Sequence, residues 1–142
     1  TGDRGGQVEL DSVWIHLGPD ARPARIEDFG PYAEYTAGRT ISTRLELAEP
    51  RAGAARVPWP LRFTDVDVLG HVNNAAYWHA VEERLARLQL DPRRPLRARL
   101  DHHHPLDLGD DVELAESSES GRLALAFAVD GEAKAVALVE AL

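Results

Sequence analysis

A change of apolar periodicity in the second half of the chain restricts its fold more than any other feature of the sequence. After Asn74, apolar residues recur at intervals of three and four positions, namely at Trp78, Val81, Leu85 and Leu88. This spacing predicts one long helix with a continuous apolar face. The Asp91-Pro92 pair predicts where that helix ends.

Four strands are predicted after the helix, over residues 96–104, 112–116, 123–129 and 133–141. In the third of them, large apolar residues alternate with alanine, and Asp130-Gly131 predicts a hairpin to the fourth. The short connections predict an antiparallel meander. The fold class is therefore α+β, with a curled antiparallel sheet wrapped around one long helix.

We expect three parts along the chain. Residues 57–142 form the complete domain, which opens at a sheet edge because Pro58 and Pro60 cannot donate to a ladder, and continues as a strand over residues 61–64. Residues 38–56 are polar and mixed, and are predicted to be a linker. Residues 1–37 are predicted to hold a strand and a short helix.

Composition excludes several functional classes. With 142 residues the chain has room for a real core, but its net charge of −8 argues against nucleic acid, which needs a concentrated positive face. We see no apolar run long enough to span a membrane and no signal peptide. The lack of cysteine excludes a thiol nucleophile in this chain and fits the cytoplasmic location that we predict.

The stretch DVDVLGHVNN, residues 65–74, concentrates groups that can do chemistry just before the helix. Asn73 or Asn74 is a candidate N-cap, and a helix N-terminus offers unpaired N–H groups that can hold a developing oxyanion. A carboxylate from Asp65 or Asp67, with the imidazole of His71, would be suited there to hydrolysis of an acyl compound. The alternative is that these residues only form a turn.

The string TDVDVLGHVNNAAYWHAVEE resembles the acyl-ACP thioesterases, hotdog-fold enzymes whose signature is D-x-D-x-N-x-H-V-N-N-x-x-Y. SVWIHLGPDARPARI and RLDHHHPLDLGDDVEL are also similar to that family. The resemblance implies two hotdogs in tandem, of which this chain would hold the last strand of the first, within residues 1–37, and the complete second.

By the same resemblance, Asp67 and His71 are the expected catalytic residues, and Asn73, Asn74 and Tyr77 the expected substrate-binding residues. The implied reaction is hydrolysis of acyl-ACP or acyl-CoA to release a fatty acid, without a cofactor. Two departures stand out. The family's catalytic Asn is here Leu69, and its later Glu falls near Pro105, so Asp67 would act alone with a water, as a single acidic residue does in simpler hotdog thioesterases.

For two other clusters we favour a structural interpretation over a functional one. His102 and His104 share a strand face, but three ligands would be needed for zinc, so no metal site is predicted. The arginines between positions 93 and 99 could meet an acidic carrier protein or a coenzyme A phosphate, although a solvated strand edge is the simpler interpretation.

Two other functions stay open beside the thioesterase. A non-catalytic hotdog half would bind acyl ligands or pair with another hotdog, and Leu69 and Pro105 favour it. A hotdog hydratase would also use an Asp and a His, but the VNN-x-x-Y context does not suit it. In each case we expect pairing, with the missing half or a second copy, because a single hotdog leaves sheet edges exposed.

Overall fold

The computed structural model describes residues 45–89 and 94–142, together with Glu34. The chain divides into two compact units, residues 1–44 and 45–142. The second unit contains the strands β1 (Ala55–Pro58), β2 (Leu96–His102), β3 (Glu113–Glu119), β4 (Arg122–Val129) and β5 (Glu132–Ala141), and the helix α1 (Asn74–Arg87). The strand and helix predicted within residues 1–37 lie outside the described residues.

Helix α1 begins where the sequence predicts it. Asn73 is the N-cap, because its Oδ1 accepts a hydrogen bond from the Ala75 N–H at 2.8 Å. The apolar face is buried at Ala76, Tyr77, Ala80, Val81 and Leu85. The helix ends at Arg87, since Gln89 takes a positive φ of 56° that no helix continues. The predicted stop at Asp91-Pro92 lies outside the described residues.

The five strands form one antiparallel sheet in the order β1-β3-β4-β5-β2. The hairpin from β4 to β5 at Asp130-Gly131 is confirmed, and both of its turn residues have the positive φ that such a hairpin requires. Strand β1 lies at one edge of the sheet, as the two prolines indicate. The α+β class, with an antiparallel sheet around one helix, is confirmed.

Strand β2 departs from the predicted meander. It pairs with β5, from Leu96 opposite Ala141 to His102 opposite Ala135, and not with β3. Only β3, β4 and β5 form a meander. The connection over residues 103–112 carries the chain from β2, at one edge of the sheet, to β3, which lies next to the other edge. On the way it places some of its own residues beside the start of α1.

The strand predicted over residues 61–64 is wrong. A short 3-10 helix, Phe63–Asp65, stands there. The Asp65 carboxylate reaches back to the Arg62 backbone N–H at 2.9 Å, which closes a tight turn where a strand would have remained extended.

The two faces of the sheet bury different side chains. Leu123, Leu125 and Phe127 of β4 point towards α1 and form the main core with its apolar face. On the opposite face, Ala126 and Val136 are buried with other small residues and with Leu47. Leu47 belongs to the predicted linker, as does the start of β1, so part of that segment packs on the domain. The predicted domain boundaries themselves stay a prediction.

Candidate active site at the start of the helix

Asp67 opens a tight hairpin loop just before α1. Its N–H donates to the His71 carbonyl at 2.9 Å, and the Gly70 N–H donates back to the Asp67 carbonyl at 3.0 Å. Gly70 has a φ of +85°, which completes a three-residue loop of the common bulged type. Asp67 and His71 therefore stand opposite each other on the two arms of one loop, where side chains of an antiparallel pair are neighbours.

The Asp67 carboxylate is only partly engaged. Its Oδ1 accepts a hydrogen bond from the Leu69 N–H at 2.8 Å, which is the usual Asp contact in such a turn. Among the described residues no hydrogen bond reaches its Oδ2. The residue is half-buried, so this oxygen belongs to a side chain that solvent still reaches. A carboxylate held by one oxygen and open at the other can accept a proton from water.

Asp65, the other aspartate of the pair, has both carboxylate oxygens bound within the protein. It is only 4% exposed, and both of its oxygens bind Arg62, with Oδ1 2.6 Å from Nη2. This hydrogen bond, together with the positive charge of Arg62, lowers the pKa of Asp65 although burial opposes the shift. Its carbonyl accepts the Asn73 N–H at 2.7 Å, so Asp65 ties the incoming chain to the helix start.

His71 is paired with a residue that the sequence does not single out. Its Nδ1 lies 2.7 Å from Oδ1 of Asp107, and the two residues also form an isolated bridge between their backbones. Both side chains remain accessible, at 47% and 64% exposure. Asp107 lies on the connection between β2 and β3, thirty-six positions along the chain, so only the crossing of that connection places it here.

One amide at the start of α1 remains available. The Asn73 N–H is taken by Asp65, the Ala75 N–H by the Asn73 side chain, and the Ala76 N–H by the Asn73 carbonyl. Within the described ranges the Asn74 N–H has no acceptor. Asn74 is therefore the residue whose backbone can donate to an oxyanion, beside the positive end of the helix.

Tyr77 lies in the core. It is 1% exposed and packs against the rings of Trp59, Phe127 and His102, with centroid distances of 5.9, 4.9 and 4.7 Å. Burial raises the pKa of Tyr77 to about 12, and the charge of Asp110 adds to the shift. The phenol therefore stays neutral at ordinary pH. Its ring packs in the core, and the substrate-binding role expected of Tyr77 stays a prediction.

The comparisons with known proteins decide the family. The family model of the acyl-ACP thioesterase C-terminal domain matches residues 49–137, which is more than half of the chain. The chain belongs to this family. Two relatives from Mycobacterium tuberculosis, strains CDC 1551 and H37Rv, are each 30% identical over 144 residues and are described as uncharacterized proteins. The alignment covers 99% of this chain but 57% of the relatives.

Solved structures agree on the fold. A thioesterase from Thermus thermophilus, crystallised with coenzyme A and zinc, is 28% identical and superposes with a TM-score of 0.51 over 65% of this chain and 82% of its own. A gentisyl-coenzyme A thioesterase is 19% identical with a TM-score of 0.51, over 62% of this chain and 88% of its own, and shows the fold alone. The hotdog fold is therefore confirmed.

Within the acyl-ACP thioesterase family, this chain departs from the motif at Leu69. The Leu69 side chain is 71% exposed and points away from the core, while its backbone N–H holds Asp67. The backbone thus supplies Asp67 with one donor where the family's motif has an asparagine. The exposed Val68 and Leu69 give the loop an apolar tip beside the candidate site.

A groove of about 390 Å³ lies along α1 and the segment after β1. Trp59, Pro60, Ala76, His79 and Glu83 are among the residues that line it. Neither Asp67 nor His71 belongs to this groove, so it does not by itself form a substrate channel to the candidate site.

The other two clusters lie on the sheet edge. His102 packs edge-on against Tyr77, and desolvation lowers its pKa although the residue is exposed. Among the residues that the structure describes, no three acidic or histidine side chains converge as a metal would need. Arg97 and Arg99 are exposed on β2, the edge strand, as the solvated interpretation has it. No helix in the described ranges is long and apolar enough to cross a bilayer.

Proposed function

We propose that this chain is the catalytic half of a thioesterase, which hydrolyses acyl-ACP or acyl-CoA and releases a fatty acid. One observation carries the proposal. Asp67 and His71 stand on opposite arms of one loop that leads directly into the N-terminus of α1, where the Asn74 N–H is available. A base, an imidazole and an amide donor are the groups that hydrolysis of an acyl compound requires.

In the proposed reaction, a water donates one hydrogen to Oδ2 of Asp67 and the other to Nε2 of His71. Its oxygen attacks the thioester carbonyl as Asp67 takes the proton, and the Asn74 N–H stabilises the oxyanion. The C–S bond then breaks, and the leaving thiolate takes the proton back from Asp67. The products are a free acid and a thiol, and Asp67 ends as it began.

The two carriers present the same acyl thioester to the site, so the chemistry of Asp67 and His71 does not choose between them. Arg97, exposed on the edge strand β2, offers positive charge to an acidic carrier protein or to the phosphates of coenzyme A, while Arg99 beside it pairs with Glu140 at 3.6 Å. Family membership favours acyl-ACP, while the likeness to the thioesterase from Thermus thermophilus favours acyl-CoA.

The test is hydrolysis of a panel of acyl-CoA and acyl-ACP substrates by the chain and by Asp67→Asn. We expect turnover by the wild type and a loss of about 100-fold or more in kcat/KM for the variant, because general base catalysis contributes that much. Asp130→Asn, an identical change in the hairpin of the sheet, is the matched control and should leave the rate unchanged. A variant Asp67→Asn that keeps wild-type activity would remove Asp67 from the mechanism.

A second candidate is a hotdog half that binds acyl ligands without turnover. The outward Leu69 side chain and the groove that misses Asp67 favour it. Saturable binding of acyl-CoA or acyl-ACP, with no hydrolysis of any substrate in the panel, would decide for this candidate.

A further inference from the structure

The contact between His71 and Asp107 determines which ring nitrogen of His71 carries the hydrogen. A carboxylate accepts hydrogen bonds and cannot donate one, so at 2.7 Å the Nδ1 of His71 must carry the hydrogen that Asp107 receives. In the neutral ring the other nitrogen, Nε2, then holds the lone pair. Among the described residues no protein group binds Nε2, which leaves it to a water or a substrate.

Asp107 is itself held in place from both sides. Its N–H donates to Oδ2 of Asp110 at 2.8 Å, and the Asp110 N–H donates to the Asp107 carbonyl at 3.0 Å. Leu106, directly before it, is fully buried, and its carbonyl accepts the Val72 N–H at 2.8 Å. The backbone of Asp107 is thus fixed against the arm of the loop that carries His71, before any substrate is present.

We propose that Asp107 is a positioning residue, which holds His71 with Nε2 directed at the attacking water. The inference rests on the proposed function. Pro105 cannot ionise, but the carboxylate two positions later reaches the imidazole because the connection between β2 and β3 crosses over the start of α1. Asp107 acts through His71 and does not contact the reacting atoms.

The experiment measures the tautomer of the His71 ring and the hydrolytic activity as two separate readouts. The chain is labelled with ¹⁵N-histidine, and the His71 signals are assigned by their loss in His71→Gln. We expect the wild type to show the tautomer with hydrogen on Nδ1, and Asp107→Asn to shift the ring towards the tautomer with hydrogen on Nε2. In parallel, kcat should fall by about 100-fold in Asp107→Asn with KM little changed, because the general base partner is misoriented.

Two variants serve as controls. Asp107→Glu keeps a carboxylate and should retain more activity than Asp107→Asn, together with the wild-type tautomer. Asp111→Asn makes the same chemical change four positions on, without contact to His71, and should alter neither readout. An unchanged His71 tautomer in Asp107→Asn would overturn the inference even if the chain hydrolyses thioesters. If the wild type hydrolyses nothing, the proposed function fails, and the tautomer alone decides whether Asp107 orients His71.

Discussion

Asp65 and Asp67 are two positions apart and have opposite situations. Asp65 is 4% exposed, and both of its oxygens are bound by Arg62. Asp67 is half-buried, and one oxygen accepts a backbone N–H while no described group binds the other. Asp65 therefore has no unbound carboxylate oxygen for a substrate, whereas Asp67 has one. An acidic pair in a motif therefore divides into one residue for the fold and one proposed for chemistry.

Two side-chain contacts at the ends of α1 repeat this contrast. Near its C-terminus, Arg84 binds Glu116 of β3, and the two side chains are 12% and 10% exposed. Before its N-terminus, His71 binds Asp107 with both side chains largely accessible. The first pair connects the helix to the sheet, while in the second no described protein group binds Nε2 of His71. Hydrogen-bond partners and exposure, more than residue type, distinguish the charged groups that hold the fold from those that we propose for chemistry.

The largest effect on stability is expected at the buried pair. Glu116→Gln removes the carboxylate that binds the largely buried Arg84 guanidinium, which should lower the free energy of unfolding by about 3 kcal/mol. The exposed pair of Arg87 with Glu83 is the control, and Glu83→Gln should change the free energy of unfolding by less than about 1 kcal/mol. Urea unfolding of the three proteins measures both values. Equal losses of stability in the two variants would contradict the distinction between the buried and the exposed ion pair.

A smaller loss is expected at Asp65. Asp65→Ala removes the buried carboxylate that accepts the Arg62 N–H and should lower the free energy of unfolding by about 2 kcal/mol. Asp67→Ala loses one hydrogen bond on an accessible loop and should lose less than about 1 kcal/mol. Thermal and urea unfolding compare the two. A greater loss at Asp67 would reverse the roles that we assign.

The free energy of unfolding should also depend on pH through Asp65. The hydrogen bond from Arg62 lowers the pKa of Asp65 in the folded state. A carboxylate of this kind stabilises the fold above its unfolded pKa, about 3.9, and the stabilisation is lost as the pH falls through the lowered folded-state value. The wild type should therefore lose more free energy of unfolding on acidification than Asp65→Asn.

The pH comparison has an internal control. Hydrogen bonding to Lys134 also lowers the pKa of Glu132, but Glu132 is present in both proteins, so its contribution cancels in the difference. Unfolding measured at a series of pH values from neutral downward gives the two curves. Parallel curves would show that Asp65 gains nothing from its contact with Arg62.

The smallest effect is expected at Leu69. Its backbone N–H, and not its exposed side chain, binds Asp67, so Leu69→Asn should preserve the loop. We expect kcat/KM to change by less than about twofold, as for other accessible substitutions. Steady-state hydrolysis of the preferred substrate measures it. A large gain in activity would mean that the motif asparagine reaches the site, and that this chain is catalytically impaired by its leucine.

Local patterns predicted most of the helix and the loop. The 3-4-3 spacing predicted part of the apolar face of α1, since Val81 and Leu85 are buried while Trp78 and Leu88 are partly buried. Asn73 is the N-cap, as its residue type suggests. Asp67 and Gly70 occupy the turn positions that favour those residue types. Each of these features depends on contacts within a few residues, which is why a single sequence predicts them.

Long-range placement was not predictable in the same way. Nothing in the alternation of β2 says that it pairs with β5 and not with β3, since either neighbour would bury the same face. The partnership of His71 with Asp107 follows from that placement, and Asp107 in its local context, PLDLGDD, reads as an ordinary turn residue. The 3-10 helix at Phe63–Asp65 is a local exception: the run LRFT favours a strand, and the contact of Arg62 with Asp65 that closes the turn has no signature in that run.

The division between Asp65 and Asp67 is tested most directly by measuring kcat/KM and the thermal midpoint on the same preparations of Asp65→Asn and Asp67→Asn. We expect Asp67→Asn to keep its midpoint within about 2 °C and to lose about 100-fold or more in kcat/KM. Asp65→Asn should lose several degrees yet keep kcat/KM within about tenfold at a temperature where it is folded. Full activity in Asp67→Asn, or equal inactivity of both folded variants, would contradict the assignment of catalysis to residue 67.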